Sequence, residues 1–473
     1  MTDILAFTLA GQFAAAREYF RGVLAYQRAD GLFLERYGFC DNGILLSALS
    51  QYYLLTGDRD GWQEFLPAMQ RLADWAITHR NLNPNDRGTL LYGILPPGKF
   101  TADIPTPAHC YLSDAYNWKG LADFSAALAR AGLADRSRAI GDAAAAYRAD
   151  ILASMERAQF PERELFQPGE YLEGSFAWED RAVYLNGPLT IVPMTPVSRF
   201  LERNGGGGFY YGIVAGELLE TGLLDLDSPL YRRICEFMEK RGGFLLGMTS
   251  WLWQRGIDHA YTYGYLLNQM REDHVPRVLL GFYGMLAYGM SRDTFSPGEV
   301  VPLITGTGNY GQGKYGEGVY APAAHHHCQP HGYSNSQQLR LLRNMLVRDG
   351  GNELLLGFTV PRQWMEGAGA IEVQDAPTLW GKVSFSVRRL PDADRAEARV
   401  ALAPTGPERP DAIRLRVRHP GKRAMQRMQL DGKDWSGFDP GLETITLPAA
   451  CTGAEIQVFY GGEPKAGQGP QLG

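Results

Sequence analysis

The chain has 473 residues, of which 45% are hydrophobic and 21% charged, with a formal net charge of −6. Its length exceeds what one ordinary core accommodates, so at least two domains are expected. The acidic balance and the lack of a basic stripe argue against nucleic-acid binding and against a strongly polyanionic substrate.

The opening "MTDILAFTLAGQFAAAREYF" lacks a basic segment followed by an apolar core. No signal peptide is therefore expected, and for the chain as it stands a cytoplasmic location follows. Apolar residues at 13, 16, 20, 23 and 24 recur at helical spacing. "DNGILLSALSQYYLLTGD" predicts the next helix, with Asp41 as N-cap and Gly57 as stop. "GWQEFLPAMQRLADWAITHR", "DAYNWKGLADFSAALARAG" and "DRSRAIGDAAAAYRADILASMERA" continue the series. After a less regular region, "FYYGIVAGELLETG" and "SPLYRRICEFMEKRGG" form one helical pair, and "DHAYTYGYLLNQMRED" and "VPRVLLGFYGMLAYGM" form another. The last of these is the longest apolar segment; it contains Arg277 and is too short to span a bilayer, so a buried helix and no membrane association are expected. "SNSQQLRLLRNMLVRDGG" is the final helix, and Ser334 with Gln337 matches a capping box.

Short turns alternate with long loops rich in Gly, Pro, His and aromatics. Helical hairpins stacked in a ring would place tight turns at one end and long loops at the other, around a central pocket. After Gly351 the pattern changes to short alternating runs such as "VSFSVRR" and "IRLRVRH", which predict half-buried antiparallel strands. The expected organisation is a helical domain over 1–349 and a β-sandwich over 350–473 with a loose tail. Cys40, Cys110, Cys235, Cys328 and Cys451 are odd in number and scattered, so no disulfide framework is expected.

Helical hairpins followed by a small sandwich resemble the six-hairpin, or (α/α)6-barrel, glycosidases. "ERYGFCDNGILLSALSQYYLLTGD" is similar to an early hairpin of those enzymes, where an acidic residue opens a helix at the pocket floor. "GILPPG" followed by "HCYLSDAYNWKGLADFSAALARAG" is similar to the next long loop and its helix. "YGMSRDTFSPGEV" and "PHGYSNSQQLRLLRNMLVRDGGNELLLGFTVPRQWM" resemble the late segments and the passage into the sandwich. The resemblance implies a mainly α fold, an (α/α)6 barrel followed by an antiparallel β-sandwich. It implies a glycoside hydrolase acting on a neutral or weakly charged carbohydrate, with inversion as the default stereochemistry.

Glycosidic cleavage needs two facing carboxyl groups. Glu299, after a helix and the turn formed by Pro297 and Gly298, is the first candidate, with Asp293 beside it. The partner is sought in "EYLEGSFAWEDRAVY", where Glu173, Glu179 and Asp180 lie among Tyr171, Phe176 and Trp178. An acid against aromatic rings is poorly solvated and holds its proton. Asp41 suits a sugar hydroxyl as well as a helix start. His109, Asp114, Asn117 and Trp118 form a second polar cluster, and Trp118 suits stacking on a sugar face. Asp258, His259, Tyr261 and Tyr263 form a third.

Histidines 325, 326, 327 and 331 with Cys328 invite a metal site. Adjacent residues do not converge easily on one ion, and no second ligand group such as CxxC or HExxH is present, so no metal is expected. His327, His331 and Tyr333 are instead expected to line the pocket. "GNYGQGKY", from Gly308, has the glycine and lysine spacing of a phosphate loop, but Tyr315 follows and the strand–loop–helix setting is missing. The Gly-rich run around it is expected to be a loop over the pocket mouth. No dinucleotide fingerprint is present, so no cofactor is expected. Two other functions compete: a polysaccharide lyase using Tyr or His on a uronic-acid glycan, and a non-catalytic carbohydrate-binding protein. The lyase lacks clustered cations, since Lys99, Arg255, Arg292 and Lys314 are dispersed.

Overall fold

The computed structural model describes residues 2–35, 37–99, 107–158, 215–240, 244–251, 256–257, 259–291, 294–299, 301–302, 329–367, 369–390 and 394–461. The chain forms two compact units: a first of Met1–Phe7, Ala14–Leu54 and Asp58–Leu339, and a second of Thr8–Phe13, Leu55–Gly57 and Arg340–Gly473.

The first unit is helical. Helices α1 (Thr2–Leu9), α2 (Phe13–Leu24), α3 (Cys40–Thr56), α4 (Arg59–Thr78), α5 (Tyr111–Arg130) and α6 (Ala134–Arg157) come first. They are followed by α7 (215–220), α8 (Pro229–Lys240), α9 (Tyr263–Arg271), α10 (Val275–Gly284) and α11 (Gly332–Leu346). Asp58 caps α4, accepting from Gly61 N at 2.9 Å, and Gly57 at φ +65° stops α3 as expected.

Two glycine contacts bring helices to backbone distance. A Cβ at Gly43 of α3 would lie 2.2 Å from the Tyr116 carbonyl carbon of α5. Asn42 reinforces that contact, donating to Asn117 Oδ1 at 2.9 Å and to Leu72 O at 3.1 Å. In the same way, a Cβ at Gly264 of α9 would lie 1.9 Å from Gly216 O of α7, and Asn268 donates to Leu219 O at 2.9 Å. A glycine inside a helix costs about 1 kcal/mol against alanine, a cost offset here by close packing.

The second unit is a β-sandwich. Its strands are β1 (Val347–Gly350), β2 (Glu353–Leu356), β3 (Ala370–Thr378), β4 (Gly381–Leu390), β5 (Arg395–Pro404) and β6 (Ala412–Arg416). They continue as β7 (Ala424–Leu430), β8 (Lys433–Asp434), β9 (Phe438–Asp439), β10 (Thr444–Pro448) and β11 (Gly453–Gly461). One sheet runs β8-β7-β11-β5-β4-β3 and the other β9-β10-β6-β2-β1. Pairing is antiparallel except between β6 and β2, where Ala412 faces Glu353. The β4–β5 hairpin is in register from Gly381 opposite Pro404 to Leu390 opposite Arg395. The core is the inward half of each alternation: Val383, Phe385 and Val387 of β4, Ile413 and Leu415 of β6, Ile445 and Leu447 of β10.

The mainly helical fold followed by a sandwich is as expected, and three local expectations are corrected. The apolar run "VPRVLLGFYGMLAYGM" is not a buried helix: α10 gives way to a π-helical turn at Met285–Gly289, and Leu280, Tyr283 and Tyr288 are exposed while Val278 and Phe282 are buried. α11 begins at Gly332, ahead of the expected capping box, so Ser334 and Gln337 lie inside the helix and bond elsewhere. Asp41 sits within the first turn of α3 rather than at its N-cap. Among the described residues, no helix is long and apolar enough to cross a membrane.

Candidate functional site

The ends of several helices of the first unit meet around a buried glutamate that the sequence reading passed over. Glu217 lies in α7 directly after Gly216, whose contact with the Tyr261 carbonyl draws α7 against the segment leading into α9. Its carboxyl is almost wholly buried. Tyr333, in the first turn of α11, donates its hydroxyl to Glu217 Oε1 at 3.2 Å. The Tyr333 ring packs on Tyr261, centroids 5.3 Å apart, and the Tyr261 hydroxyl meets that of Tyr37 at 2.9 Å.

Asp41 supplies a second carboxylate from the start of α3. Its Oδ2 accepts backbone N–H bonds from Glu35 at 2.9 Å, Tyr37 at 3.1 Å and Gly38 at 3.4 Å, a cradle that suits negative charge. Burial, then the neighbouring Glu220, push the Glu217 carboxyl up to about 8; Asp41 adds to the rise and the Tyr333 bond opposes it. At neutral pH Glu217 therefore holds its proton. Cys40, at the start of α3, lies in the field of Asp41 and Glu217, and Cys110, just before α5, in that of Asp114 and Glu217. Burial pushes both thiols up, Cys110 to about 12.

A second layer fixes the loop carrying Glu299. The Gly298 carbonyl accepts from His259 Nε2 at 2.8 Å and from Ser334 Oγ at 3.0 Å, and Gly298 N donates to Gly289 O at 3.1 Å. Because the Ser334 proton goes to Gly298, His331 Nδ1 is the donor in its 2.7 Å bond to Ser334 Oγ. His331 N also donates to Pro297 O at 2.9 Å. His259 and His331 thus hold the backbone next to the half-buried Glu299. Gly289 is required there, since a Cβ would stand 2.8 Å from the His259 ring.

Other candidates serve the packing of helices. Asp114 Oδ1 accepts from Leu95 N at 2.8 Å and from the Tyr147 hydroxyl at 2.7 Å, which ties α5 to α6 and to the loop before it. Burial pushes its carboxyl up to about 7. His109 Nδ1 donates to Leu95 O at 2.9 Å, and burial holds its pKa down. Trp118 lies under the Arg148 guanidinium at 5.8 Å, and Asn117 bonds Asn42, Phe39 O and Ser113 O within the α3–α5 contact. Tyr263 is buried at the start of α9. Glu173, Trp178, Glu179, Asp180, Asp258, Asp293 and His327 lie outside the described residues, as does the Gly-rich run at 305–318. Among the described residues, no three His, Cys, Asp or Glu side chains come together to hold a metal ion.

Glu217 and Tyr37 were missed by the sequence reading. The available signal for Glu217 was an acid placed directly after a glycine in an otherwise apolar run.

No family model matches the chain, and no curated protein matches it. Among solved structures, it is similar to an alpha-L-rhamnosidase from Dictyoglumus thermophilum, at 9% identity and a TM-score of 0.47. That match covers 96% of this chain and 46% of the other, so the chain spans under half the length of the rhamnosidase. It is also similar to a GH127 beta-L-arabinofuranosidase from Geobacillus stearothermophilus T6, at 13% identity and a TM-score of 0.44, covering 97% of this chain and 71% of the other.

Proposed function

We propose that the protein is a glycoside hydrolase in which Glu217 is the proton donor and Asp41 the paired carboxylate. The observation that carries this reading is a carboxyl buried beside a second carboxylate where the starts of α3 and α11 and the approach to α9 meet. Two carboxyls in unlike environments are what acid–base cleavage of a glycosidic bond requires. Glu217, kept protonated by burial, would give its proton to the departing glycosidic oxygen. Asp41, cradled by backbone N–H groups, would act on the opposite side, on water or on the anomeric carbon. Glu299, the acid first expected from sequence, remains the second candidate for the partner role because its loop is fixed by His259, Ser334 and His331.

The substrate class follows from charge. Asp41 and Glu220 set acidic groups beside the neutral Glu217, which disfavours a uronic carboxylate and suits a neutral glycan. The closure of the helical hairpins into a six-membered barrel, and the division into a catalytic and a sandwich domain near residue 349, belong to this same reading.

The test is a panel of plant, algal and bacterial glycans, read both for new reducing ends and for the ultraviolet absorbance of unsaturated sugars. New reducing ends without absorbance, formed at least about 100-fold more slowly by Glu217→Gln, are expected. Absorbance would assign the tyrosine cluster to a lyase instead. Binding of a glycan with no product, unchanged by Glu217→Gln, would make the protein a carbohydrate binder.

A further inference from the structure

Gln337 lies one turn beyond Tyr333 on α11 and is buried. Its Nε2 donates to the Tyr333 hydroxyl oxygen at 2.8 Å and faces Glu220 Oε2 at 3.5 Å. Both neighbours of that nitrogen are oxygens, and one belongs to a carboxyl group. A phenol could meet either end of the amide, but the opposite orientation would set the amide oxygen against the Glu220 carboxyl oxygen, so Glu220 decides which end is nitrogen.

A phenol has one proton. With the Tyr333 oxygen accepting from Gln337, its O–H is free to point away, and Glu217 Oε1 stands 3.2 Å from it. A neutral carboxyl also has one proton, on one of two oxygens. The oxygen that receives a hydrogen bond from a phenol is the carbonyl-like one, so the acid proton is left to the other.

We propose that Gln337 and Tyr333 form a relay that directs the phenol proton onto Glu217 Oε1 and so confines the Glu217 proton to Oε2. The proposal rests on the reading of Glu217 as the acid and deepens it, because a general acid gains from carrying its proton in one place. Gln337 acts only through Tyr333, which makes it a positioning residue. The order of the chain is fixed: the amide donates to the phenol, and the phenol donates to the carboxyl. Removing either link should have the same consequence for Glu217, and removing both should add nothing.

The experiment follows the protonated Glu217 carboxyl by infrared difference spectroscopy across pH, with its band assigned by disappearance in Glu217→Gln. Three further variants are compared: Tyr333→Phe, Gln337→Leu and the double substitution. A lost bond to the carbonyl oxygen raises the stretching frequency. It also moves the Glu217 titration to higher pH by about one pH unit, the size of a hydrogen bond to an ionised group. Both single variants are expected to show these changes, and the double variant is expected to match Tyr333→Phe.

If Gln337→Leu leaves band and midpoint as in the wild type, or if the two single effects add in the double variant, the relay is wrong. Gln337→Glu is a nearly isosteric second probe for the case in which the leucine variant does not fold. Its carboxylate accepts the phenol proton and turns the relay around, so the midpoint again moves upward; an unmoved midpoint rejects the proposal. The infrared readout needs no turnover. A relay that behaves as stated, together with undiminished activity in Glu217→Gln, would overturn the acid assignment alone.

Discussion

Replacing Glu217 with glutamine should make the protein more stable and less active. The carboxyl moves from 4.5 to about 8 on folding, with burial as the main cause. Below about pH 4 the carboxyl is protonated in both the folded and the unfolded chain, so it contributes nothing to the pH dependence. Between the two pKa values the unfolded chain releases its proton while the folded chain keeps it, and stability falls as pH rises. Above 8 both states are ionised and the loss is complete. At about 1.4 kcal/mol per pKa unit, the penalty is on the order of 3 kcal/mol at neutral pH and 4–5 kcal/mol above pH 8. Glutamine cannot ionise, keeps the shape, and still accepts from Tyr333. The assay is urea unfolding of both proteins at a series of pH values from about 4 to about 9, read as the midpoint of loss of helical circular dichroism. The variant should gain nothing at the acid end and gain progressively up to pH 8, then hold. On a substrate found by the glycan panel, its turnover should fall by about 10²- to 10⁴-fold. A difference in midpoint that does not vary with pH, or a variant less stable at pH 8, would refute the assignment of a buried, proton-holding carboxyl.

Three further outcomes are expected. Glu299→Gln should reduce turnover without moving the alkaline limb of the pH–rate profile, which belongs to the acid; a moved limb would return the donor role to Glu299. Gly43→Ala places a Cβ 2.2 Å from the Tyr116 carbonyl carbon, and Gly264→Ala places one 1.9 Å from Gly216 O. Each should cost at least about 2–3 kcal/mol by thermal unfolding, whereas alanine at the open position Gly22 should not destabilise α2. In the sandwich, Arg362 bonds Glu443 through both of its terminal nitrogens and donates to His419 O at 2.8 Å. Arg362→Ala should cost about 2–4 kcal/mol and be partly restored by Glu443→Gln, a coupling measured by a double-mutant cycle.

The sandwich was legible because its strands carry their burial in the alternation itself. "KVSFSVRR" buries Val383, Phe385 and Val387 and turns Lys382 and Arg388 outward, with no reference to the rest of the chain. Asp41 was legible as the acid that opens a strongly apolar helix after "YGFC", although its carboxylate accepts from the preceding loop instead of capping α3. The helix through Leu280 was misjudged because hydropathy counts apolar residues and not their direction. Leu280, Tyr283 and Tyr288 fall on its outward side.

Glu217 was hidden for a different reason. In "VAGELLET", Glu217 and Glu220 are three residues apart on one helical face, a spacing that ordinarily marks a solvated stripe. Whether that face meets water or the interior depends on what packs beside it, and those partners come from elements more than forty residues away. The local clue is Gly216. A glycine in a helical run weakens a helix by about 1 kcal/mol, and Gly216, unlike the open Gly22, sits where another backbone comes close, so Glu217 next to it lies near a contact rather than on an open surface. The same logic applies to Asp41 and Asn42 beside Gly43, and to Tyr263 and Tyr265 beside Gly264. In this fold Gly43, Gly216 and Gly264 mark the close contacts around which Asp41 and Glu217 are set, and acids adjoining such contacts are the ones to test first for chemistry.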